Sequence, residues 1–400
     1  MNNADRQRNR AILLLAGAGF CSAVSLRVCD PLIPQLSRSF DVSTGQAAQT
    51  ITAFAVAYGL LQLVYGVLGD RFGKYALITV AAFACAVASI GAALAPTMGW
   101  LIALRAVAGA TAAGIIPLSM AWLGDTVPYA SRQTALARML TGTIGGMMAG
   151  LLLGGIFADT VGWRWVFVLL SGLFLLIGFG LAAELRGNPV TRAPPGQQTG
   201  RLGLAEATAS IRHVLHIPWA RVILLVVFLE GLLVFGAVSF FPTYLHHRFN
   251  LSLSFAGALV ALFGVGGLLY AVLVTRLVRT LREQGIAIAG GLSLGVAIAA
   301  LLLGPAWPVA AAGVLLAGLG FYMLHNTLQT NATQMAPDTR GVALAIFASA
   351  LFFGQSVGVG IAGALYDTAG PALVFATAAL TLPLIGLGFG RALRARPQQT

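Results

Sequence analysis

Charged residues are scarce in this sequence of 400 residues. Asp, Glu, Lys and Arg make up 9% of the chain, against about 25% in an ordinary globular domain. So few charges cannot cover a surface that faces water throughout, which excludes a soluble globular protein. Hydrophobic residues make up 58% of the chain, and the mean hydropathy is +0.87. We therefore predict an integral membrane protein.

Cysteine is also rare, and the reactive clusters typical of enzymes are missing. Cys21, Cys29 and Cys85 lie within apolar stretches without metal-ligand spacing, so we expect them to be buried apolar residues. The glycine-rich patches lie inside apolar runs and not between a strand and a helix, so they do not qualify as phosphate loops. The sequence predicts no cofactor, no metal and no enzymatic activity.

Alternating apolar and polar residues, the pattern of a membrane β-barrel, are missing as well. The sequence instead contains apolar runs of about 20 residues, the length of a membrane-spanning helix. We predict an all-α membrane protein with twelve spans, at residues 11–34, 46–68, 75–95, 99–122, 135–158, 163–183, 219–245, 253–275, 285–304, 308–331, 341–365 and 371–391.

The basic residues are distributed unequally between the two sides of the membrane. The formal net charge is +12. Only Arg38, Arg164 and Arg248 fall on the side opposite to the termini, while Arg27 and Arg105 remain inside spans. Cytoplasmic loops of membrane proteins are enriched in Lys and Arg. We therefore expect a multi-pass protein of the inner membrane with both termini in the cytoplasm. The same pattern explains the basicity without a nucleic-acid partner.

The longest loop divides the chain into six spans and six spans. We predict an N-terminal bundle over residues 1–183, a cytoplasmic linker over 184–218 and a C-terminal bundle over 219–400. The linker ends in an amphipathic pattern over residues 204–216, typical of a helix on the membrane surface. Short segments of the first half recur weakly in the second at a nearly constant offset. Paired halves are typical of secondary transporters.

A polar turn separates the second span from the third and reads Gly66-Val67-Leu68-Gly69-Asp70-Arg71-Phe72-Gly73-Lys74. It resembles the signature G-x-L-x-D-R-x-G-K/R of the major facilitator superfamily at every fixed position. Arg105 and Gly109 in the fourth span are similar to the family's R-x-x-x-G motif. The resemblance covers essentially the whole chain. It implies two pseudo-symmetric six-helix bundles, the major facilitator fold.

The fifth span resembles the antiporter motif G-x-x-x-G-P-x-x-G-G of twelve-span drug:proton antiporters. Its glycines are Gly146, Gly150, Gly154 and Gly155, and Leu151 stands where the motif has proline. The resemblance implies a proton-coupled secondary transporter that exports small organic compounds or drugs by alternating access. Its partners would be a small-molecule substrate, protons and the lipid bilayer, and we expect a monomer. Plain helix packing is the other explanation of these glycines.

Arg27, Asp30, Arg105 and Glu230 lie well inside predicted spans, where charges are costly and usually functional. The first three fall at similar depth in the outer half, so we predict that Asp30 pairs with Arg105 or Arg27. The alternative is that Asp30 marks only the interfacial end of the first span. Glu230 falls near the midplane and is the first candidate for a proton carrier. A static acid held by hydrogen bonds is the alternative.

Polar side chains in two other spans are candidates for substrate binding. Tyr58 and Gln62 lie in the second span, and His325, Asn326 and Gln329 lie in the tenth. Hydrogen bonds between helices would explain them equally well. A different function also remains open, a symporter or importer of small organic anions, because the buried arginines offset the buried acids.

The resemblance also implies a gate at the cytoplasmic face. In the family, the loop aspartate meets the positive start of the eleventh span, which here lies near Gly341, and the loop arginine meets an acid at the inner end of the fourth span. We predict that Asp70, Arg71 and Asp125 form a latch that closes the inner gate and breaks when it opens. The gating set is Gly66, Asp70, Arg71, Gly73, Lys74, Asp125 and Gly341.

Overall fold

The computed structural model describes residues 3–191 and 204–395, and these residues are almost entirely helical. The helices are α1 Asn3–Arg27, α2 Ile33–Phe40, α3 Thr44–Phe72, α4 Lys74–Ala93, α5 Met98–Ala112, α6 Ile115–Thr126, α7 Tyr129–Asp159, α8 Trp163–Gly187, α9 Leu204–His216, α10 Pro218–Glu230, α11 Gly236–Val238, α12 Phe241–Phe249, α13 Leu253–Leu303, α14 Trp307–Ala332, α15 Arg340–Ala369 and α16 Pro371–Ala395.

Within these described ranges, 11 helical segments are long and apolar enough to cross a membrane. The longest, α13, contains two of the predicted spans joined at Arg282, whose φ of 54° breaks the helical path. Counting α13 twice gives the twelve crossings of the predicted all-α fold. We call the side that carries the Gly73 turn the near side and the side that carries Ser43 the far side.

Two predicted spans are broken by turns. The first leaves the helical path after Arg27 and resumes in α2, because Pro31 has no N–H with which to continue the α-helical bonding. The Arg27 carbonyl instead accepts from Asp30 N at 3.2 Å. The fourth span divides into α5 and α6 at residues 113–114. Apolar runs in a sequence do not reveal such breaks.

The seventh span changes its winding next to Glu230. Residues 231–235 form a π-helical segment between α10 and α11, and such segments often re-aim side chains at functional sites. Gly231 lies so close to the Leu351 carbonyl of α15 that a Cβ atom would collide with it. The missing side chain therefore lets the two backbones touch.

The two halves of the chain meet through α3 against α15 and α7 against α13. On the far side, the chain turns in the same way in each half. Asp41 and Asn250 have φ values of 51° and 52°, and each is followed by a serine, Ser43 or Ser252, that caps the next helix. The weak sequence repeat thus corresponds to a structural one. The exact domain boundaries stay a prediction.

The linker lies partly outside the described residues, since 192–203 are not among them. The predicted amphipathic segment forms α9, which contacts α10 and α15. Val214 is fully buried. Part of the apolar face of α9 therefore packs against the protein. The position of α9 on the membrane surface stays a prediction.

Candidate functional site

A cavity of about 590 Å³ lies on the near side between the two halves. Its walls come mainly from apolar residues of α3, α6 and α15, and Ile211 of α9 contributes to them. The polar side chains inside are Gln62, His325 and Gln329, with Asp70 and Lys74 at the near end. The volume falls within the range of about 300–1,000 Å³ typical of pockets for drug-sized molecules.

Glu230 is bonded to a histidine that lines this cavity. Glu230 Oε2 lies 2.8 Å from His325 Nδ1, and the side chains are 0% and 15% exposed. Glu230 itself is not part of the cavity wall, so His325 stands between the acid and the cavity. The other carboxylate oxygen, Oε1, is buried without a hydrogen-bond partner among the described residues.

Aromatic rings hold the imidazole in place. The His325 ring stacks on Phe321 with centroids 5.0 Å apart and planes at 15°, and Phe347 of α15 lies 5.5 Å away. Sequence reasoning assigned His325 to substrate binding and Glu230 to proton transfer, as separate sites. The structure joins them into one pair, which single-span patterns could not reveal because α10 and α14 are distant in sequence.

The second buried acid, Asp30, pairs with Arg27, one of its two predicted partners. Arg27 Nη1 lies 3.0 Å from Asp30 Oδ2, and both side chains are buried. Asp30 is 0% exposed, so it does not merely mark an interfacial helix end. Its Oδ1 is buried without a partner among the described residues. The Arg27 guanidinium lies over the Phe235 ring at 4.5 Å, so this pair contacts the second half of the chain.

Arg105 does not bond to Asp30. Its Nη2 donates to the Ser25 carbonyl at 2.8 Å and its Nη1 to Ser25 Oγ at 3.2 Å. Its Nε donates to the Thr50 carbonyl at 3.4 Å, and the guanidinium lies 4.3 Å from the Phe54 ring centroid. Arg105 therefore ties α5 to α1 and α3, and the predicted alternative pairing is wrong.

The predicted substrate ligands divide into two groups. Gln62, His325 and Gln329 line the cavity. Tyr58 is 3% exposed and packs on Phe352 of α15 at 4.4 Å, which is helix–helix contact. Asn326 lies beside Tyr270 of α13 and is not part of the cavity wall.

Lys74, and not Arg71, pairs with Asp125 in the polar turn. Lys74 Nζ lies 2.8 Å from Asp125 Oδ2 and 2.9 Å from Asp70 Oδ1. The predicted Arg71–Asp125 pair is wrong because the chain reverses at Gly73, whose φ is 89°, and carries Lys74 toward α6. The Arg71 guanidinium lies beside the Phe72 ring at 5.3 Å.

The predicted latch to α15 is not formed in this conformation. Asp70 and Gly341 line the same cavity, and no ion pair or side-chain hydrogen bond joins Asp70 to α15 among residues 3–191 and 204–395. A Cβ atom on Gly341 would meet open space. The near side is therefore open between α3 and α15.

The glycines of the fifth span bring backbones into contact. Gly146, Gly150 and Gly154 face the carbonyls of Phe20, Val24 and Val28 in the first span, and Gly155 faces Leu253 in α13. A Cβ atom on Gly150 would lie 2.7 Å from the Val24 oxygen. These contacts account for the glycines by packing, whatever further role they have.

Sequence reasoning missed two acids on the far side, Asp159 at the end of α7 and Asp367 near the end of α15. Each bonds to the first turn of a helix in the opposite half. A signal was present, because Gly155 precedes Asp159 by four residues and Gly363 precedes Asp367 by four. The acids were overlooked because charges at span ends are common.

Residues 15–341 match the model of the Major Facilitator Superfamily. The chain belongs to the Major Facilitator Superfamily, whose members are multi-pass membrane transporters of small molecules and not enzymes.

Individual relatives agree with this assignment. The uncharacterized MFS-type transporter YceJ of Bacillus subtilis is 27% identical over 84% of each chain. The multi-drug resistance efflux pump PmrA of Streptococcus pneumoniae is 30% identical over 40% of each chain. The crystal structure of a D-xylose-proton symporter superposes with a TM-score of 0.76, covering 96% of this chain and 97% of that one, at 16% identity. This last likeness concerns the fold alone.

Proposed function

We propose that the protein is a proton-coupled exporter of small organic compounds that works by alternating access, with the near side in the cytoplasm. The apolar near-side cavity, its drug-sized volume and the similarity to an efflux pump support export. The concentration of basic residues on the near side supports the orientation. The glycines of the antiporter-like motif are compatible with it.

The observation that carries the proposal is the contact between Glu230 and His325. An intramembrane acid is a functional candidate because its burial is costly. Among residues 3–191 and 204–395, one oxygen of this acid is bonded to His325 and the other is buried without a partner. The second oxygen is therefore available to bind a proton. His325 connects it to the cavity, and imidazole both accepts and donates protons near neutral pH.

Substrate and proton are exchanged because each disfavours binding of the other at the Glu230–His325 pair. When the near side is open, a substrate in the cavity contacts His325 and favours loss of the proton from the Glu230–His325 pair to the cytoplasm. After the far side opens and the substrate leaves, a proton from outside rebinds the pair. This proton neutralises the Glu230 carboxylate, which lowers the free-energy cost of closing the far side around the buried carboxyl group.

Asp30 and Arg27 form a second candidate element of coupling. Their contact with Phe235 of the π-helical segment, five residues beyond Glu230, links the first half to the helix that carries the proton carrier. A change in the protonation of Asp30 would release Arg27 and alter this contact.

The test is transport in proteoliposomes with a compound first identified by a thermal-shift screen, since ligands of the native state raise its stability. An imposed outward proton gradient should drive accumulation of the compound by the wild type, and the compound should move protons in return. Glu230→Gln should abolish proton movement while binding persists. Glu283→Gln, at an exposed acid bonded to Asn331, is the matched control. Proton movement that survives in Glu230→Gln contradicts the proposal.

The rival function, uptake of small organic anions, loses its main support in the structure. It relied on two arginines that offset Asp30 and Glu230 and leave the cavity neutral or positive. Arg27 is paired with Asp30, Arg105 is bonded to Ser25 and Thr50, and neither arginine lines the near-side cavity. Uptake of a labelled organic acid that is stimulated by an inward proton gradient would favour the rival.

A further inference from the structure

On the far side, Asp367 of α15 binds the first turn of α3. Its Oδ1 and Oδ2 lie 3.0 Å and 3.1 Å from Gly45 N, and Ser43 Oγ donates to Oδ2 at 2.6 Å. Ser43 is itself the cap of α3. The start of a helix carries unsatisfied N–H groups and partial positive charge, so a carboxylate there is stabilised by both.

Asp159 of α7 makes the same kind of contact with the first turn of α13. Its Oδ1 accepts from Leu253 N at 3.1 Å, and its Oδ2 accepts from Ser254 N and from Ser254 Oγ, both at 2.6 Å. Ser252 caps this helix. Each acid therefore reaches across the boundary between the halves, one in each direction.

One turn before each acid, a glycine completes the contact. A Cβ atom on Gly363 would lie 2.8 Å from the Cα atom of Gly45, and a Cβ atom on Gly155 would collide with the carbonyl of Leu253. The sequence Gly-x-x-x-Asp thus occurs at residues 155–159 and 363–367, and both copies bind a capped helix start. Two copies related by the internal repeat indicate a shared role more strongly than one isolated contact does.

We propose that Asp159 and Asp367 are the positioning residues of the far-side gate. Together they hold the halves closed on the far side while the near side is open, and both contacts must break before the far side can open. This inference rests on the alternating access in the proposed function, but not on proton coupling or on the direction of transport.

The geometry predicts the direction of each effect. Removing either carboxylate removes contacts that exist only when the far side is closed, so it shifts the conformational equilibrium toward the far-open state. Loss of one helix-capping acid should change that equilibrium by about tenfold. The two contacts share no residues, so the double variant should show about the product of the single effects.

The test measures distances between spin labels by pulsed electron paramagnetic resonance, on full-length protein in lipid nanodiscs without substrate or proton gradient. The far-side labels replace Leu94 and Leu303, which are 73% and 76% exposed and lie in opposite halves. The near-side labels replace the exposed residues Gln133 and Thr280. The buried cysteines are replaced by alanine in every sample.

In Asp159→Ala, Asp367→Ala and the double variant, the far-side distance should lengthen and the near-side distance should shorten in the same fraction of molecules. A merely structural role would not produce this reciprocal change. Asp159→Asn and Asp367→Asn keep one accepting oxygen and should lie between the alanine variants and the wild type. Asp41→Asn is the control, because Asp41 is an exposed acid on the far side and asparagine tolerates its left-handed backbone, with a φ of 51°.

Thermal unfolding of each labelled variant establishes that it is folded before the distances are compared. Unchanged far-side distances in the folded double variant would overturn the proposal. A far-side increase without near-side closure would also overturn it, because that result means loosened packing and not a shifted gate. Since no proton or substrate is involved, the result is independent of whether Glu230 carries protons.

Discussion

His325 Nδ1 of α14 lies 2.8 Å from Glu230 Oε2 at the end of α10. The contact joins a fully buried acid to a side chain that faces the near-side cavity. A bound compound can therefore influence the acid through the imidazole, without reaching the acid itself. In the proposed function, this pair is the unit that exchanges a proton for a substrate.

The histidine should be needed for coupling even though it is not the final proton acceptor. His325→Gln keeps a hydrogen bond to Glu230 and the polar character of the cavity wall, but it cannot be protonated near neutral pH. We expect binding of the identified compound to persist while proton-driven transport falls by about a hundredfold or more, the usual effect of losing one proton-transfer group. Gln329→Ala is the control, since this residue lines the same cavity. An equal loss of transport in both variants would argue against a proton role for His325.

Arg105 should matter for stability more than for chemistry. Its three hydrogen bonds fix α5 to α1 and α3, and lysine cannot reproduce this planar fork. Arg105→Lys should lower the free energy of unfolding by about 1–3 kcal/mol, because buried acceptors lose partners. Arg164→Lys, whose arginine donates to the Ala95 carbonyl at a helix end, should cost less. The measurement is denaturant unfolding in detergent, and equal losses would contradict the assignment.

Two adjacent glycines of α7 provide a matched pair. A Cβ atom on Gly146 would collide with the Phe20 carbonyl, whereas one on Gly145 would meet nothing within 4 Å. Gly146→Ala should therefore separate α7 from α1 and destabilise the protein by about 1–3 kcal/mol. Gly145→Ala should be neutral or slightly stabilising, because alanine favours helix over glycine. Thermal unfolding compares the two, and a similar shift in both would show that the close contact is unimportant.

The near-side latch is predicted to act in the other conformation. If Asp70 binds the start of α15 when the near side closes, Asp70→Asn favours the near-open state by about two- to fivefold, the usual size of a charge effect at a helix start. A cysteine in place of Ala345, which lines the cavity, should then react faster with a water-soluble maleimide. Unchanged reactivity would contradict the latch.

The corrected pairing at the polar turn yields a comparison between neighbours. Lys74→Gln removes the cation that bridges Asp70 and Asp125, so it should change the reactivity of the same cysteine. Arg71→Gln should have a smaller effect, because Arg71 bonds to neither acid. Both ion pairs are partly exposed, so neither variant should change stability by more than about 1 kcal/mol. A larger change in cysteine reactivity from Arg71→Gln than from Lys74→Gln would support the Arg71–Asp125 pair predicted from the sequence.

Much of the fold could be predicted because the membrane imposes it. Apolar runs of fixed length predicted the spans, and the three cysteines are buried and free as expected. The breaks at residues 28–32 and 113–114 and the π-helical segment were not predicted. They arise from the local effect of Pro31 and from backbone contacts such as that of Gly231 with Leu351. Neither cause can be read from the hydropathy of the sequence.

The individual residues of the candidate site could be predicted from the sequence, but the contacts between them could not. The cost of burial singled out Asp30, Arg27, Arg105 and Glu230 correctly as buried groups. Sequence could not decide which cation faces Asp30, because side-chain direction changes where a helix breaks. It also could not bring His325 to Glu230, since contacts between distant helices depend on the whole bundle.

The most direct test of the proton-exchange account is to count protons released when the thermal-shift hit binds to purified protein in weakly buffered solution. Because binding linkage is reciprocal, a compound that displaces the proton of the Glu230–His325 pair should release about one proton per molecule bound. Glu283→Gln should behave like the wild type, and Glu230→Gln should bind the compound and release none. Proton release by Glu230→Gln equal to that of the wild type would contradict the account.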